Sequence, residues 1–173
     1  MTGPRARACD LVVTRWGARF MGRTLPCAIG RGGIAVAKRE GDGATPAGRW
    51  RLLALRWRAD RLARPAAAGL PTRRIGPRDG WSDDPRDPRY NRPVRLPRRF
   101  SAERLRRGDR LYDLVVETDH NASAAPGDGS AIFLHLWKAP RRPTAGCVAL
   151  RRRDLLFILA RWSPRARLVV RLA

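Results

Sequence analysis

The sequence has no long apolar segment. No run of about eighteen apolar residues occurs, so we expect no membrane span. The first 23 residues lack a clean apolar core, because the Leu11 to Val13 run is short and Arg15 soon follows it. No signal peptide is therefore readable. At 173 residues, we expect one domain over 1–173 that is long enough to bury a core.

Cysteine and histidine are scarce. The chain has three cysteines and two histidines, without a C-x-x-C motif or other zinc-type spacing, so we expect no metal site and no cofactor. A hairpin turning around Gly17-Ala18-Arg19 would set Cys9 opposite Cys27, which makes a disulfide conceivable. Two separately buried thiols are an equally good interpretation. The sequence leaves both open.

Lysine is nearly absent from a strongly basic chain. Lys38 and Lys138 are the only lysines, 35 of the 37 basic residues are arginine, and the formal net charge is +22. Such charge favours a polyanionic partner, whether nucleic acid, anionic lipid or a cell-wall polymer. The arginines are scattered over all segments, which indicates a coding bias for most of them. A basic nucleic-acid-binding module remains an alternative, but no recognition motif supports specific nucleic-acid binding.

One histidine and one cysteine lie close together in the stretch Ser130 to Leu150. An apolar, strand-like run there carries His135, and a short loop rich in Pro and Arg leads to Cys147. Strand alternation puts His135 on one face with Phe133 and Trp137, while their neighbours pack into the core. We therefore expect His135 to face a pocket close to Cys147.

Gly146, directly before Cys147, allows a tight turn and leaves amide groups near the sulfur. A thiolate nucleophile, an imidazole base and amides for an oxyanion are the parts of covalent acyl transfer. The catalytic candidates are therefore Cys147, His135 and Gly146. Ala145 offers a further amide, and Thr144 can brace the loop or hydrogen-bond His135. The alternative is a core histidine and a buried cysteine that are close by chance.

The apolar pattern predicts a mainly β domain with one or two short helices. Helices are predicted over Ser101 to Arg107 and from an N-cap at Asp154 through Trp162. The segment around 60–97 is rich in Pro, Arg and Trp, and its length indicates an ordered insertion or cover rather than a linker. Strands are predicted over Asp10 to Trp16, Arg19 to Ile29, Arg49 to Trp57, Leu111 to Thr118 and Arg167 to Leu172.

Three residues of the insertion are candidates for substrate binding. Trp81, Tyr90 and Asn91 could line a groove, or they could fix the insertion to the core. His120, at a strand end, is the rival to His135 as catalytic base. Its alternative role is to brace a loop.

Three blocks of the sequence, in order, resemble the catalytic domain of the YkuD-type L,D-transpeptidases, which act on peptidoglycan. The blocks are Gly41 to Trp50 with its T-P-x-G turn, Gly129 to His135, and Thr144 to Leu150. The resemblance implies the β-sandwich-like fold of that family, in a compact single-domain member.

Two alanines depart from the family motif, which usually reads [S/T]-H-G-C followed by an apolar residue and then Asn or Arg. Ala145 stands in place of the second histidine, and Ala149 in place of the Asn or Arg. The family's basic residue for the substrate carboxylate is thus missing from its usual position. Another arginine, Arg39 or Arg141, is expected to replace it, unless the substrate differs.

The resemblance implies a reaction on peptidoglycan stem peptides. Cys147 would attack the carbonyl at diaminopimelate, expel D-alanine and pass the acyl group to an amine of a second stem, making a 3-3 cross-link. In a variant of this reaction, a residue-one carbonyl is joined to diaminopimelate, which makes a 1-3 cross-link. Transfer to water would make the protein a carboxypeptidase or amidase-type hydrolase of the same fold. The resemblance also implies inhibition by carbapenem-type compounds and a periplasmic or cell-envelope location. We further expect a monomer.

Overall fold

The computed structural model describes residues 6–172. Within them the chain forms short strands and one helix, α1 (Arg152–Ala160). The strands, in chain order, are β1 (Leu11–Thr14), β2 (Gly17–Phe20), β3 (Arg23–Leu25), β4 (Cys27–Ala28), β5 (Ile34–Ala35), β6 (Thr45–Pro46), β7 (Gly48–Trp50), β8 (Leu52–Trp57), β9 (Thr72–Arg74), β10 (Asp79–Ser82), β11 (Pro93–Arg95), β12 (Ala102–Arg104), β13 (Leu114–Thr118), β14 (Phe133–Leu136), β15 (Val148–Leu150) and β16 (Leu168–Val170).

Two sheets hold most of the strands. The six-stranded sheet has the order β4-β15-β14-β13-β8-β9, and the five-stranded sheet has the order β3-β2-β1-β16-β7. Two smaller sheets have the orders β11-β10-β12 and β5-β6. The predicted mainly β architecture with a short helix is confirmed.

The main core is built from both large sheets and α1, as in a sandwich. Leu134 and Leu136 of β14 point into it from the six-stranded sheet, and Leu11 and Val13 of β1 from the five-stranded sheet. Full burial of one such side chain stabilises the fold by about 1.5–3 kcal/mol. The helix completes this core with Leu155, Ile158 and Leu159.

The opposite face of the six-stranded sheet carries a smaller core beneath the insertion. Phe133 of β14 and Val115 of β13 pack there with Trp81 and Ile75, which belong to segment 60–97. The Trp81 and Phe133 rings meet edge to face, with 5.0 Å between centroids. The segment contains β9, β10 and β11 and covers part of the face on which strand alternation places His135.

The first hairpin turns earlier than predicted. Thr14 pairs with Gly17 across β1 and β2, so Arg15 and Trp16 form the turn instead of Gly17-Ala18-Arg19. The antiparallel register of the two strands decides this position, and the glycine lies inside β2.

The predicted strand from Arg19 to Ile29 is interrupted by a second tight turn. Met21 and Gly22 take positive φ angles of 47° and 75°, which reverses the chain between β2 and β3. Cys9 and Cys27 are both free thiols, so the disulfide interpretation is wrong.

The prediction of a helix over Ser101 to Arg107 is wrong, because this segment forms β12. Ala102 and Arg104 pair with Ser82 and Gly80 of β10. So short a helix has little stability of its own, since nucleation is unfavourable and short helices depend on packing. Strand pairing with the insertion overrides the local pattern here.

The helix α1 has a different N-terminus from the predicted one. Its N-cap is Arg151, which makes no side-chain cap hydrogen bond, and Asp154 lies in the first turn. The predicted Asp154 cap is therefore wrong, although a carboxylate in the first turn still complements the helix dipole. Across positions 6–172, no helix is long and apolar enough to cross a membrane.

Candidate active site

Cys147 lies immediately before β15, next to β14 in the six-stranded sheet. These two strands are parallel, with Leu134 paired to Val148 and His135 paired to Ala149. Because side chains alternate along a strand, Cys147, two residues before Ala149, lies on the same face as Ala149 and His135. The sheet thereby brings the sulfur and the imidazole to one side of two adjacent strands.

A pocket of about 630 Å³ opens over this face. Its wall includes the predicted catalytic and loop residues Cys147, His135, Gly146, Thr144 and Ala145. Charged side chains form much of the remaining wall: the basic ones are Arg31, Arg104, Arg107, Lys138 and Arg142, and the acidic ones are Glu40, Asp83 and Glu103. In the part of the chain that the structure describes, no group of three or more His, Cys, Asp or Glu residues is arranged to hold a metal ion.

The Cys147 thiol is buried and hydrogen-bonded to the backbone. Its Sγ donates to the carbonyl oxygen of Ala131 at 3.1 Å and accepts from the amide of Phe133 at 3.4 Å. Burial raises the pKa of Cys147 to about 12, because a thiolate there would lose its hydration. The resting side chain is therefore a neutral thiol.

The His135 imidazole is oriented by a backbone carbonyl. Its Nδ1 lies 2.7 Å from the carbonyl oxygen of Leu136; since a carbonyl oxygen only accepts, Nδ1 carries the proton. The Tyr112 ring packs edge to face with the imidazole, at 5.2 Å between centroids. Burial lowers the pKa of His135 to about 4, so the ring is neutral near pH 7 and Nε2 is unprotonated.

A neutral thiol and a neutral imidazole differ from a preformed ion pair. The sequence interpretation required His135 to stabilise a thiolate on Cys147. With burial favouring the neutral form of both groups, the proton has to leave Cys147 as the sulfur attacks an electrophile. Such general-base chemistry needs an unprotonated Nε2, which the hydrogen bond from Nδ1 provides.

Thr144 braces the loop that leads to the cysteine. Its hydroxyl donates to the carbonyl of Cys147 at 2.6 Å and accepts from the amide of Gly146 at 3.1 Å. Its own amide donates to the carbonyl of Ile29, and its carbonyl accepts from the amide of Arg31, both at 2.9 Å. The two backbone hydrogen bonds hold the loop against the glycine-rich segment before β5. The two hydrogen bonds of the hydroxyl brace the loop internally, and one of them occupies the Gly146 amide.

Gly146 has a backbone conformation that favours glycine. Its φ is 146°, and a Cβ atom there would lie 3.0 Å from the carbonyl oxygen of Ala44. Thr45, which follows Ala44, is fully buried, and its hydroxyl accepts from the amide of Gly30 at 2.8 Å. The block Gly41 to Trp50 thus forms a wall against which the loop before Cys147 packs.

The two arginines singled out in the sequence for the substrate carboxylate do not line the pocket. Neither Arg39 nor Arg141 belongs to its wall, and Arg141 donates to the carbonyl of Trp16 at 3.2 Å. Arg31 and Arg142 do line it, and their side chains have no hydrogen-bond or ion-pair partner among residues 6–172. The glycines on both sides of Arg31 are a signal in the sequence that could have found it, because they let the backbone approach the segment from Asp42 to Thr45 closely.

Trp81, Tyr90 and Asn91 connect the insertion to the segment before β14. The Asn91 side-chain oxygen accepts from the indole N–H of Trp81 at 2.9 Å and from the amide of Ala131 at 3.1 Å. The hydroxyl of Tyr90 donates to Glu40. All three side chains are buried, and none of them belongs to the pocket wall. Their contacts fit the alternative role, which is to fix the insertion to the core.

His120 is buried, and it does not belong to the pocket wall. Its Nε2 lies 3.0 Å from the carbonyl oxygen of Asp128, and its ring packs edge to face with Trp50 at 4.9 Å between centroids. Its own carbonyl accepts from Asn91 at 3.2 Å. These contacts brace the loop before β14. His135 is the histidine that lines the pocket.

The sequence interpretation missed an aromatic residue beside His135, Tyr112, and an acidic residue that Tyr112 contacts, Glu103. The hydroxyl of Tyr112 donates to Glu103 at 2.7 Å, and the guanidinium of Arg107 lies over the Tyr112 ring at 5.2 Å from its centroid. No local pattern marks Glu103, which belongs to the segment predicted as a helix. Only the pairing of β12 with β10 brings it to the pocket wall.

Comparison with known proteins supports the resemblance seen in the sequence. The family model of the YkuD L,D-transpeptidase catalytic domain matches residues 11–170. No curated protein and no solved structure matches the chain. The family match spans the strands of both large sheets, together with His135 and Cys147.

Proposed function

Because the chain belongs to the YkuD L,D-transpeptidase catalytic domain family, whose function lies in peptidoglycan, we propose that it is a cysteine-dependent L,D-transpeptidase. The observation that carries this proposal is the common face of β14 and β15, on which Cys147 and His135 line one pocket. The substrate is a peptidoglycan stem peptide, and the site of action is the cell envelope.

The first half-reaction forms an acyl-enzyme. Nε2 of His135 takes the thiol proton as the sulfur of Cys147 attacks the carbonyl at diaminopimelate, and the proton then passes to the departing amine of D-alanine. The amides of Ala145 and Cys147 are the candidate oxyanion donors, because the amide of Gly146 already donates to Thr144. One such donor contributes about 2.7–4 kcal/mol of transition-state stabilisation.

The second half-reaction transfers the acyl group to an amine of a second stem. The product of this reaction is a 3-3 cross-link, and a 1-3 cross-link would form only if the carbonyl of residue one replaced that of diaminopimelate as the acyl donor. The pocket volume of about 630 Å³ lies within the range of about 300–1,000 Å³ that is usual for ligand sites. Transfer to water in place of the amine would make the protein a hydrolase.

Arg31 and Arg142 are the candidates for binding the carboxylate of the donor stem. The family position for this contact holds Ala149, whose methyl group makes no polar contact. Both arginines line the pocket, and neither has an acidic partner among residues 6–172. A guanidinium can hold a carboxylate through two parallel hydrogen bonds, so we assign them this role in place of Arg39 or Arg141.

The deciding experiment incubates the purified protein with disaccharide-tetrapeptide muropeptides and identifies the products by mass spectrometry. We expect cross-linked dimers together with released D-alanine. Shortened monomeric stems without dimers would identify a hydrolase instead. Unchanged muropeptides would refute an enzymatic role on this substrate.

A cysteine variant tests the nucleophile. We expect Cys147→Ala to abolish both the products and the covalent adduct with meropenem, while the variant still folds and unfolds in one cooperative thermal transition. Cys27→Ala is the matched control, because Cys27 is also buried and its pKa is raised to about 11, yet it lies outside the pocket wall. An adduct that persists on Cys147→Ala would contradict the assignment.

A further inference from the structure

We propose that the carboxylate of Glu103 binds the ammonium group of the acceptor stem and accepts its proton. This inference rests on the proposed transpeptidase reaction, and it names the residue that selects an amine over water in the second half-reaction. It concerns a residue outside the three sequence blocks that carry the family resemblance.

Glu103 presents a free carboxylate oxygen at the pocket wall. The residue lies in β12 opposite Trp81, and it lines the same pocket as Cys147. The hydroxyl of Tyr112 donates to Oε1 at 2.7 Å, and Nη1 of Arg107 lies 3.7 Å from the same oxygen. Within residues 6–172, Oε2 has no hydrogen-bond partner. The side chain is 29% exposed and lines the pocket, so a substrate group there can reach the carboxylate.

The neighbouring arginine neutralises Glu103 only weakly. Nε and Nη2 of Arg107 are engaged by the carboxylate of Asp109 at distances of 2.8–3.2 Å. The 3.7 Å separation between Arg107 and Glu103 exceeds a hydrogen bond. A partly buried carboxylate with an incomplete ion pair gains from a cationic partner.

A second acidic side chain favours a cation at the same wall. Asp83 lines the pocket, and its Oδ1 is buried without a hydrogen-bond partner in the described residues. The charge of Asp83 acts on Glu103, and burial raises the pKa of Glu103 above its ordinary value. A carboxylate with a raised pKa is also a better proton acceptor for an ammonium group.

Tyr112 sets the position of the carboxylate relative to the catalytic pair. Its ring packs edge to face with the imidazole of His135 at 5.2 Å between centroids, and its hydroxyl holds Oε1 of Glu103. The charge of Glu103 also acts on Cys147, where it opposes thiolate formation. An acceptor amine bound at Glu103 therefore lies in the same pocket as Cys147 and His135.

The step balances in atoms and charge. The acceptor enters as an ammonium and gives one proton to the carboxylate of Glu103. Its nitrogen then attacks the thioester carbonyl, the new C–N bond forms, and the C–S bond to Cys147 breaks. The second proton passes from nitrogen through Nε2 of His135 to the departing sulfur, which leaves a thiol, an amide and a protonated Glu103. That carboxyl group returns its proton to water.

The test compares Glu103→Gln with the unmodified protein in a partition assay. The acyl donor is the disaccharide-tetrapeptide muropeptide, and the acceptor is either a muropeptide with a free diaminopimelate amine or hydroxylamine, which is neutral at pH 7. We expect Glu103→Gln to lower the ratio of amine transfer to hydrolysis by about tenfold or more for the ammonium acceptor. We expect the ratio for hydroxylamine to change less than about twofold, because that nucleophile carries no charge to be bound.

The outcomes separate this inference from the proposed function. If Glu103→Gln lowered the ratio of transfer to hydrolysis equally for both nucleophiles, Glu103 would only stabilise the shape of the pocket and would not bind the ammonium group. An unchanged ratio for the ammonium acceptor would also overturn the inference. Meropenem adduct formation by Glu103→Gln reports the proposed function independently, because acylation needs no acceptor. Should the unmodified protein form neither adduct nor dimer, both proposals fail.

Two further variants control for folding and for pocket charge. Tyr112→Phe removes only the hydroxyl that holds Oε1, and we expect it to lower the same ratio by a smaller factor. Glu40→Gln removes a charge from the same wall, where the carboxylate already accepts from Tyr90, and we expect a ratio within about twofold of the unmodified protein. A loss for Glu40→Gln as large as for Glu103→Gln would contradict a specific role of Glu103.

Discussion

Nδ1 of His135 donates to the carbonyl oxygen of Leu136, the next residue of β14, at 2.7 Å. The strand itself thus fixes the tautomer, a task that a carboxylate performs in Ser-His-Asp triads. A carbonyl carries no full charge, so burial dominates and lowers the pKa of His135 to about 4. The imidazole that we propose as general base is consequently unprotonated at Nε2 over a wide range of pH above that value.

The buried neutral imidazole makes the stability of the fold depend on pH. The pKa of His135 falls from 6.5 in the unfolded chain to about 4 in the folded one, so the unfolded state binds the proton more tightly between these values. The contribution of neutral His135 to the free energy of unfolding is complete above pH 6.5. It declines by about 3 kcal/mol as the pH falls towards 4. Urea unfolding of the unmodified protein and of His135→Gln, at several pH values, measures it. Parallel pH profiles for the two proteins would contradict the prediction.

Gly146→Ala is expected to destabilise the loop before the nucleophile. A φ of 146° is unfavourable for alanine, and its Cβ would approach the carbonyl oxygen of Ala44 to 3.0 Å. We expect a loss of about 1–3 kcal/mol in the free energy of unfolding and a slower meropenem adduct. Gly108→Ala is the control, because a Cβ at that position meets no atom within 4 Å. Equal stability of the two variants would argue against a constraint at Gly146.

Asn91→Ala is expected to loosen the segment that holds the thiol. Asn91 accepts from Trp81 and Ala131, and the carbonyl of Ala131 accepts from Sγ of Cys147. Leaving buried donors unpaired costs about 3 kcal/mol, and the displaced Ala131 peptide slows acylation. Urea unfolding and the rate of adduct formation check both effects. Trp81→Phe serves for comparison, because it removes only the indole N–H that donates to Asn91. A loss of stability as large as that of Asn91→Ala would show that the packing of the Trp81 ring, rather than the hydrogen bonds of Asn91, stabilises this segment.

Arg31→Gln and Arg142→Gln are expected to weaken binding of the donor stem. Each removes a guanidinium of the pocket wall, and we expect KM for the tetrapeptide donor to rise by about tenfold with little change in kcat. Arg39→Gln and Arg141→Gln are the matched controls, because these two arginines do not line the pocket. A larger effect from either control would restore the original assignment to Arg39 or Arg141.

Local patterns in the sequence were sufficient for the centre of the site. Alternation along β14 predicted that His135 faces away from Leu134 and Leu136, and these leucines do lie in the main core. The glycine before Cys147 predicted a constrained turn, and Gly146 does take a positive φ. Such features depend on a few neighbouring residues, so a short window of sequence contains them.

The walls of the pocket depended on contacts between distant segments. Glu103 reaches the wall because β12 pairs with β10, some twenty residues earlier in the chain, although its local pattern resembled a helix. Arg31 reaches it because its loop hydrogen-bonds Thr144, whereas Arg39 and Arg141 lie outside the pocket wall. The sequence by itself therefore determined the mainly β class and the placement of Cys147 and His135 at one pocket. Only tertiary structure decided which charged side chains surround them, because strand pairing between remote segments has no local signature.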